Sequence, residues 1–156
     1  PLREELRALF ETLARKMLSV RVDGVWMQVI DCPERTGNYK ESSGSCLMAG
    51  GILKAARLYR EEIAIAALNT GTTRVIAALG FDIREEDDAE NVYLEKDGTL
   101  FLAKTCHGAG LGGRPDAYRD GSFDYYISEA VGSYDLKGTG AYIQAVVEYE
   151  RSVQDA

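Results

Sequence analysis

The chain has 156 residues, 46% hydrophobic and 28% charged, which suits a single domain over residues 1–156 with a real core. Its net charge of −7 and 18 scattered Lys and Arg argue against a nucleic-acid binder, whose affinity needs clustered cations. No apolar run approaches the ~18 residues of a membrane span, and residues 1–19 carry charge throughout, unlike a secretory signal. The three cysteines, Cys32, Cys46 and Cys106, are far apart and form no CxxC, which excludes a zinc ribbon and favours a reducing, cytoplasmic setting. The chain begins on Pro1 without Met, which leaves the start of the gene product open.

Residues 2–19 read as a helix, because Leu2, Leu6, Leu9, Phe10, Leu13 and Met17 fall on one stripe at helical spacing. Arg21–Gly24 breaks it, and Val25–Ile30 reads as either a short strand or extended loop. Ser42–Tyr59 is a second helix with Leu47, Met48, Ile52, Leu53 and Ala56 on its apolar side. Gly44, Gly50 and Gly51 lower its propensity and point to close packing against another backbone, as in helical hairpins. Glu61–Leu79 is a third helix, stopped at Gly80, and Arg84–Asn91 is an acidic loop. Val92–Glu95 and Thr99–Ala103 flank Lys96-Asp97-Gly98 as a β-hairpin. A glycine-rich loop at Gly108–Tyr118, a short helix at Ser122–Glu129 and a strong helix at Gly138–Val153 complete a mostly α chain. Its loops are too long and polar for a minimal bundle.

Several groups carry chemistry. Gly108, Gly110 and Gly113 fit G-x-G-x-x-G, but Arg114-Pro115-Asp116 follows where a dinucleotide fingerprint needs a helix, so loop shaping is the better reading and no cofactor is expected. His107 is the single histidine, which rules out a multi-histidine metal centre, and no metal site is assigned. A Cys106–His107 nucleophile pair would need adjacent residues to face each other, which neighbours seldom do. Asp31, Glu41, Asp120 and Asp124 rise above the solvated background of 25 acids because aromatics and glycine turns surround them. Tyr118, Phe123, Tyr125, Tyr126, Tyr134 and Tyr142 crowd one region; phenols offer an apolar face and a hydroxyl to a sugar, although packing is their commoner use. Together these features favour a polar small-molecule site.

The stretch DGVWMQVIDCPERTGNYKESSGSCLMAGGILKAARL resembles the central block of the unsaturated glucuronyl and rhamnogalacturonyl hydrolases, glycoside hydrolase families 88 and 105. GTLFLAKTCHGAGLGG, YRDGSFDYYISE and DLKGTGAYIQAVVEYER resemble the C-terminal blocks of the family 105 branch, in the same order. The likeness runs from about Leu2 to Arg151. It implies a mostly α fold, the C-terminal half of an (α/α)6 barrel with about three helical hairpins and one small β-hairpin. It also implies a reaction. Such enzymes remove an unsaturated uronic acid from lyase-generated oligosaccharides: an aspartic acid protonates the C4=C5 double bond, water adds at C5, and the hemiketal collapses.

The same resemblance implies that Trp26 stacks on a sugar and that Gln28, Glu41 and Ser43 meet sugar hydroxyls. His107 would bond a substrate oxygen, with Tyr118 and Asp124 at the open end of the pocket. Gln28 stands where other branches carry a histidine, and Glu41 and Ser43 where some carry a tryptophan and an arginine. The family's catalytic aspartate belongs to an earlier block with no match here, so no catalytic residue is assigned. Exposed seams of a half ring would favour self-association. The rival expectation is a carbohydrate-binding or oligomeric α-helical protein of the same descent without catalysis.

Overall fold

The computed structural model describes residues 2–58, 93–96, 99–133 and 135–154. The predicted helix Glu61–Leu79 and the acidic loop Arg84–Asn91 lie outside them. Helix α1 spans Leu2–Ser19, supported on its polar side by Glu4–Arg7 and Glu11–Arg15 pairs at helical spacing. Its apolar stripe divides. Ala14 and Met17 are buried, whereas Leu2, Leu6, Leu9 and Leu13 are exposed. The covered end is the one that Trp26 reaches, and the indole N–H donates to the Met17 carbonyl at 2.8 Å.

Helix α2 is Ser42–Leu58. A hairpin follows, β1 (Tyr93–Lys96) with β2 (Thr99–Leu102), in the register Tyr93↔Leu102 to Lys96↔Thr99. Strand β3 (Thr105–Cys106) pairs antiparallel with β4 (Val131–Gly132), which comes after the short helix α3 (Phe123–Ser128). Helix α4 is Leu136–Gln154. The Val25–Ile30 segment is an extended loop, held by the isolated bridges Val22↔Val25 and Met27↔Lys40. None of these helices is long and apolar enough to cross a membrane.

The core lies between α2 and α4, where Ala49, Ile52 and Leu53 pack with Ala141 and Ala145. Thr105 sits at both helix N-termini. Its hydroxyl is 2.9 Å from Ser42 Oγ, and it would lie 2.5 Å from a Cβ placed on Gly138. Gly50 meets Ala145 midway, and Arg57 pairs with Glu148 further along. The two helices therefore run side by side and parallel, rather than as the hairpin that the glycines led us to expect. Each glycine has its own reason. A Cβ on Gly50 would come within 3.3 Å of the Ala145 backbone, one on Gly44 within 2.9 Å of the Glu41 carboxylate, and one on Gly51 would touch nothing within 4 Å. Only Gly50 serves backbone packing.

The far end of this interface carries a bidentate ion pair, Arg57 Nε and Nη2 to the two Glu148 oxygens at 2.8 and 3.1 Å. Hydrogen bonding to Arg57, aided by the charges of Arg57, Arg151 and Lys54, lowers the Glu148 pKa from its ordinary 4.5 against the opposing cost of burial. A lowered native pKa stabilises the fold fully above the unfolded value and is lost as pH falls through the native one. Urea midpoints measured below pH 4.5 should therefore fall with pH, and Glu148→Gln should remove part of that slope.

Candidate functional site

The loop before α2 begins with a tight turn. Asp23 and Gly24 both have positive φ, 49° and 88°, and Val22 and Val25 exchange backbone hydrogen bonds across them. This is the geometry that an Asp-Gly pair supplies in a two-residue hairpin. The chain then passes under α2. Trp26 is 2% exposed, its backbone N–H donates to Ser45 Oγ, and its ring packs in the core. No ring face is left for a sugar. The stacking role expected of Trp26 is therefore replaced by a supporting one: a buried ring whose N–H is already engaged holds the loop from beneath.

Asn38 organises the next turn. Its side chain accepts from the Val29 and Tyr39 amides and donates to the Val29 and Cys32 carbonyls. Beyond it stands Glu41, buried in spite of its charge. Its carboxylate accepts from Ser43 N, Ser43 Oγ, Gly44 N and the backbone N–H of Cys106. Three of these donors are amides or a hydroxyl at the start of α2, where the helix dipole favours an anion. The fourth ties β3 to the same point. With its oxygens so engaged, Glu41 positions the loops, and the hydroxyl-binding role expected of it is not what this geometry presents. Ser43 likewise gives its hydroxyl proton to Glu41 at 2.7 Å.

Gln28 reaches the same place, its amide donating to Cys106 Sγ at 3.3 Å while the thiol donates to the Gly108 carbonyl. The Tyr39 hydroxyl is buried next to Cys106 and meets no hydrogen-bonding oxygen or nitrogen among the described residues. Burial first, and the neighbouring Cys106 second, push its ionisation well above the usual phenol range. Burial also pushes the Cys46 thiol up to about 12, with Glu41 adding to it, so this sulfur is no nucleophile. His107 is exposed beside the cluster. Its backbone N–H donates to Ala130 O, and its ring lies against Gly132, where a Cβ would clash with Nε2.

The glycine loop is folded back on itself by reciprocal Gly112–Arg119 backbone bonds, with Gly112 and Gly113 at φ of 76° and 115°. Tyr125 Oη fastens it by donating to the Gly110 carbonyl at 2.7 Å. No dinucleotide helix follows: the next element is a 3-10 turn at Pro115–Ala117. Tyr118 is exposed on this loop. Asp124 is exposed too and pairs with Arg35 Nη2 at 3.3 Å, while Arg35 also lies 3.9 Å over the Phe123 ring. Asp120 accepts the Ser122 amide, and that bond holds its carboxyl below the usual range, which suits an ionised group and not a proton donor.

Of the residues singled out in the sequence, Gln28, Glu41, Ser43 and His107 gather around Cys106. Tyr118 and Asp124 stand on the outer loop, and Trp26 lies beneath. Asn38, Cys106, Arg119 and Tyr125 were missed as organisers. For Asn38 a turn signal was present, since Asn takes turn positions through its side chain. Among the described residues no group of three His, Cys, Asp or Glu is placed to hold a metal ion.

Comparison with known proteins gives the family and the fold. Two curated relatives, Protein Atu3128 of Agrobacterium fabrum and the 24.9 kDa protein in picA locus of Rhizobium radiobacter, are each 40% identical over 149 residues, 94% of this chain. The chain spans 59% of the length of each. Among solved structures, a family 105 glycoside hydrolase of C. acetobutylicum matches 96% of this chain at 36% identity with a TM-score of 0.79, over 38% of its own length. A possible family 105 member from Salmonella enterica shares the fold at 21% identity and a TM-score of 0.67, over 98% of this chain and 33% of its own. The fold is thus part of an (α/α)6 barrel, and the family model described as Glycosyl Hydrolase Family 88 matches residues 1–153. The chain belongs to glycosyl hydrolase family 88.

Proposed function

We propose that this chain forms the sugar-recognising wall of a hydrolase that removes an unsaturated uronic acid from lyase-generated oligosaccharides. The observation that carries the reading is the family match over residues 1–153. Gln28, Ser43 and His107 are the polar groups that meet the sugar, and Glu41 holds them in place. Tyr118 and Asp124 border the open side, and Trp26 supports the wall from the core. The proton donor to the C4=C5 bond is an aspartate outside these 156 residues. Support comes from the carboxylates around the wall: Glu41 accepts four hydrogen bonds, Asp124 pairs with Arg35, and Asp120 is held ionised. All three are engaged as hydrogen-bond or ion-pair acceptors. The three free cysteines fit a reducing, cytoplasmic setting.

Incubation with an unsaturated disaccharide, following loss of absorbance by the double bond, tests the division of labour. Binding with negligible turnover is expected of this chain, and robust turnover would sink the claim that its acid lies elsewhere. The engaged carboxylates equally favour a second reading, a carbohydrate-binding protein without catalysis. It prevails if the chain still gives no turnover when expressed with its full natural reading frame.

Self-association belongs to the same proposal. Leu2, Leu6 and Phe10 line a groove of about 500 Å³ with Ala55 and Leu58, rimmed by Arg3, Arg7 and Lys54. Exposed apolar area of this kind is a contact surface in water. Sedimentation velocity should show concentration-dependent dimers that Leu6→Glu abolishes; a monomer at all concentrations refutes the contact.

A further inference from the structure

The G-x-G pair of the 108–113 loop is followed by a 3-10 turn and not by a helix, and a side chain packs on it instead. Arg119 lies across it. A Cβ on Gly110 would sit 3.2 Å from Arg119 Nη1, and one on Gly108 would sit 3.6 Å from Nη2. The missing side chains therefore leave room for the guanidinium to lie against the loop. Arg119 Nε pairs with Glu129 Oε1 at 3.3 Å, and the Glu129 side chain is only 17% exposed. Arg119 itself is 46% exposed. Its backbone is pinned by the reciprocal bonds to Gly112, and the loop beside it by the Tyr125 hydroxyl on Gly110 O. A guanidinium held at Nε and still half-exposed can offer Nη1 and Nη2 to a carboxylate, which matches its fork with two parallel hydrogen bonds.

We infer that Arg119 recognises the carboxylate of the bound uronic acid, with Gly108 and Gly110 giving the guanidinium its place beside the loop. The inference rests on the proposed uronic-acid reading. It adds what the Gln28, Ser43 and His107 set lacks: a permanent positive charge that separates an acidic sugar from a neutral one. Glu129 is a positioning residue here. It takes Nε and fixes the guanidinium, and Glu129→Gln should weaken acid binding less than loss of Arg119 does. A side chain on Gly110 should fill the guanidinium's space, so Gly110→Val mimics loss of Arg119 while keeping the charge.

The test is a 1H–15N NMR titration of the 156-residue chain with an unsaturated uronyl disaccharide and with its methyl ester, which keeps the ring and removes the charge. The acid is expected to bind about tenfold or more tightly than the ester and to shift the Arg119 Nε–Hε resonance. Arg119→Ala should bring the acid down to the ester's affinity and leave the ester unchanged. Arg119→Lys keeps a charge beside Glu129 but loses the fork, and should retain only part of the preference. If Arg119→Ala keeps the full preference for acid while its backbone spectrum stays native, the assignment of Arg119 is overturned and the uronic-acid reading stands. If the wild-type chain binds neither acid nor ester, both fall.

Discussion

Trp26→Ala is expected to lower the stability of the chain by about 3–5 kcal/mol, the largest effect of any single substitution proposed for it. The ring is the largest side chain in the buried cluster, joined there to Ala14, Met17 and Cys46. Its truncation removes apolar burial and leaves a cavity between α1 and the start of α2. The Met17 carbonyl also loses its indole donor. Because the only tryptophan disappears with the substitution, urea unfolding must be followed by circular dichroism. Trp26→Phe keeps most of the volume and loses the N–H, so it should cost about 1–3 kcal/mol. A stacking tryptophan would behave otherwise, giving near-native stability with impaired sugar binding. That pattern would show that the ring faces the ligand.

Glu41→Gln should cost about 3 kcal/mol, a large effect for a nearly isosteric change. One oxygen accepts from Ser43 N, Ser43 Oγ and Cys106 N, and the other from Gly44 N. A glutamine must turn its NH2 toward one of these sets, so a donor faces donors whichever way the amide is flipped. The favourable anion at the α2 N-terminus is lost as well. Loosening should reach the Cys106–Gly108 segment through the broken Cys106 bond, and amide hydrogen exchange at Cys106 and His107 should accelerate. Unchanged stability and exchange would mean that the carboxylate is not the link between α2 and β3. In sugar-binding assays Glu41→Gln should act through this disorder and weaken acid and ester forms alike. Arg119 substitutions should separate the two forms.

The local elements were legible because each has a local cause. Helical periodicity marked α1 to within a residue, and the Ser-rich start of α2 and the apolar repeat of α4 placed both helices to within two residues. The β-hairpin strands were read for the same reason, from short apolar runs flanking an Asp-Gly turn. The Asp-Gly turn at Asp23-Gly24 was passed over, since the bridge it closes is a single pair and has no strand around it to attract notice. The β3–β4 pairing was invisible for another reason. Two-residue strands carry no periodicity, and these two lie 25 residues apart in the chain.

The family and the barrel fold could be read from ordered sequence blocks alone. What each polar residue does could not, because an acid in a loop reads the same whether it meets a ligand or a helix. Only tertiary structure brought the Cys106 amide to Glu41 and buried the carboxylate among donors, which changed Glu41 from a sugar contact into an anchor. Only tertiary structure buried the Trp26 ring. It also laid Arg119 over two glycines that the sequence presented as a nucleotide motif. Spacing along the chain determines which face of an element a residue occupies. Which group then takes up its hydrogen bonds is decided by distant segments, and that choice separates a structural carboxylate from a binding one.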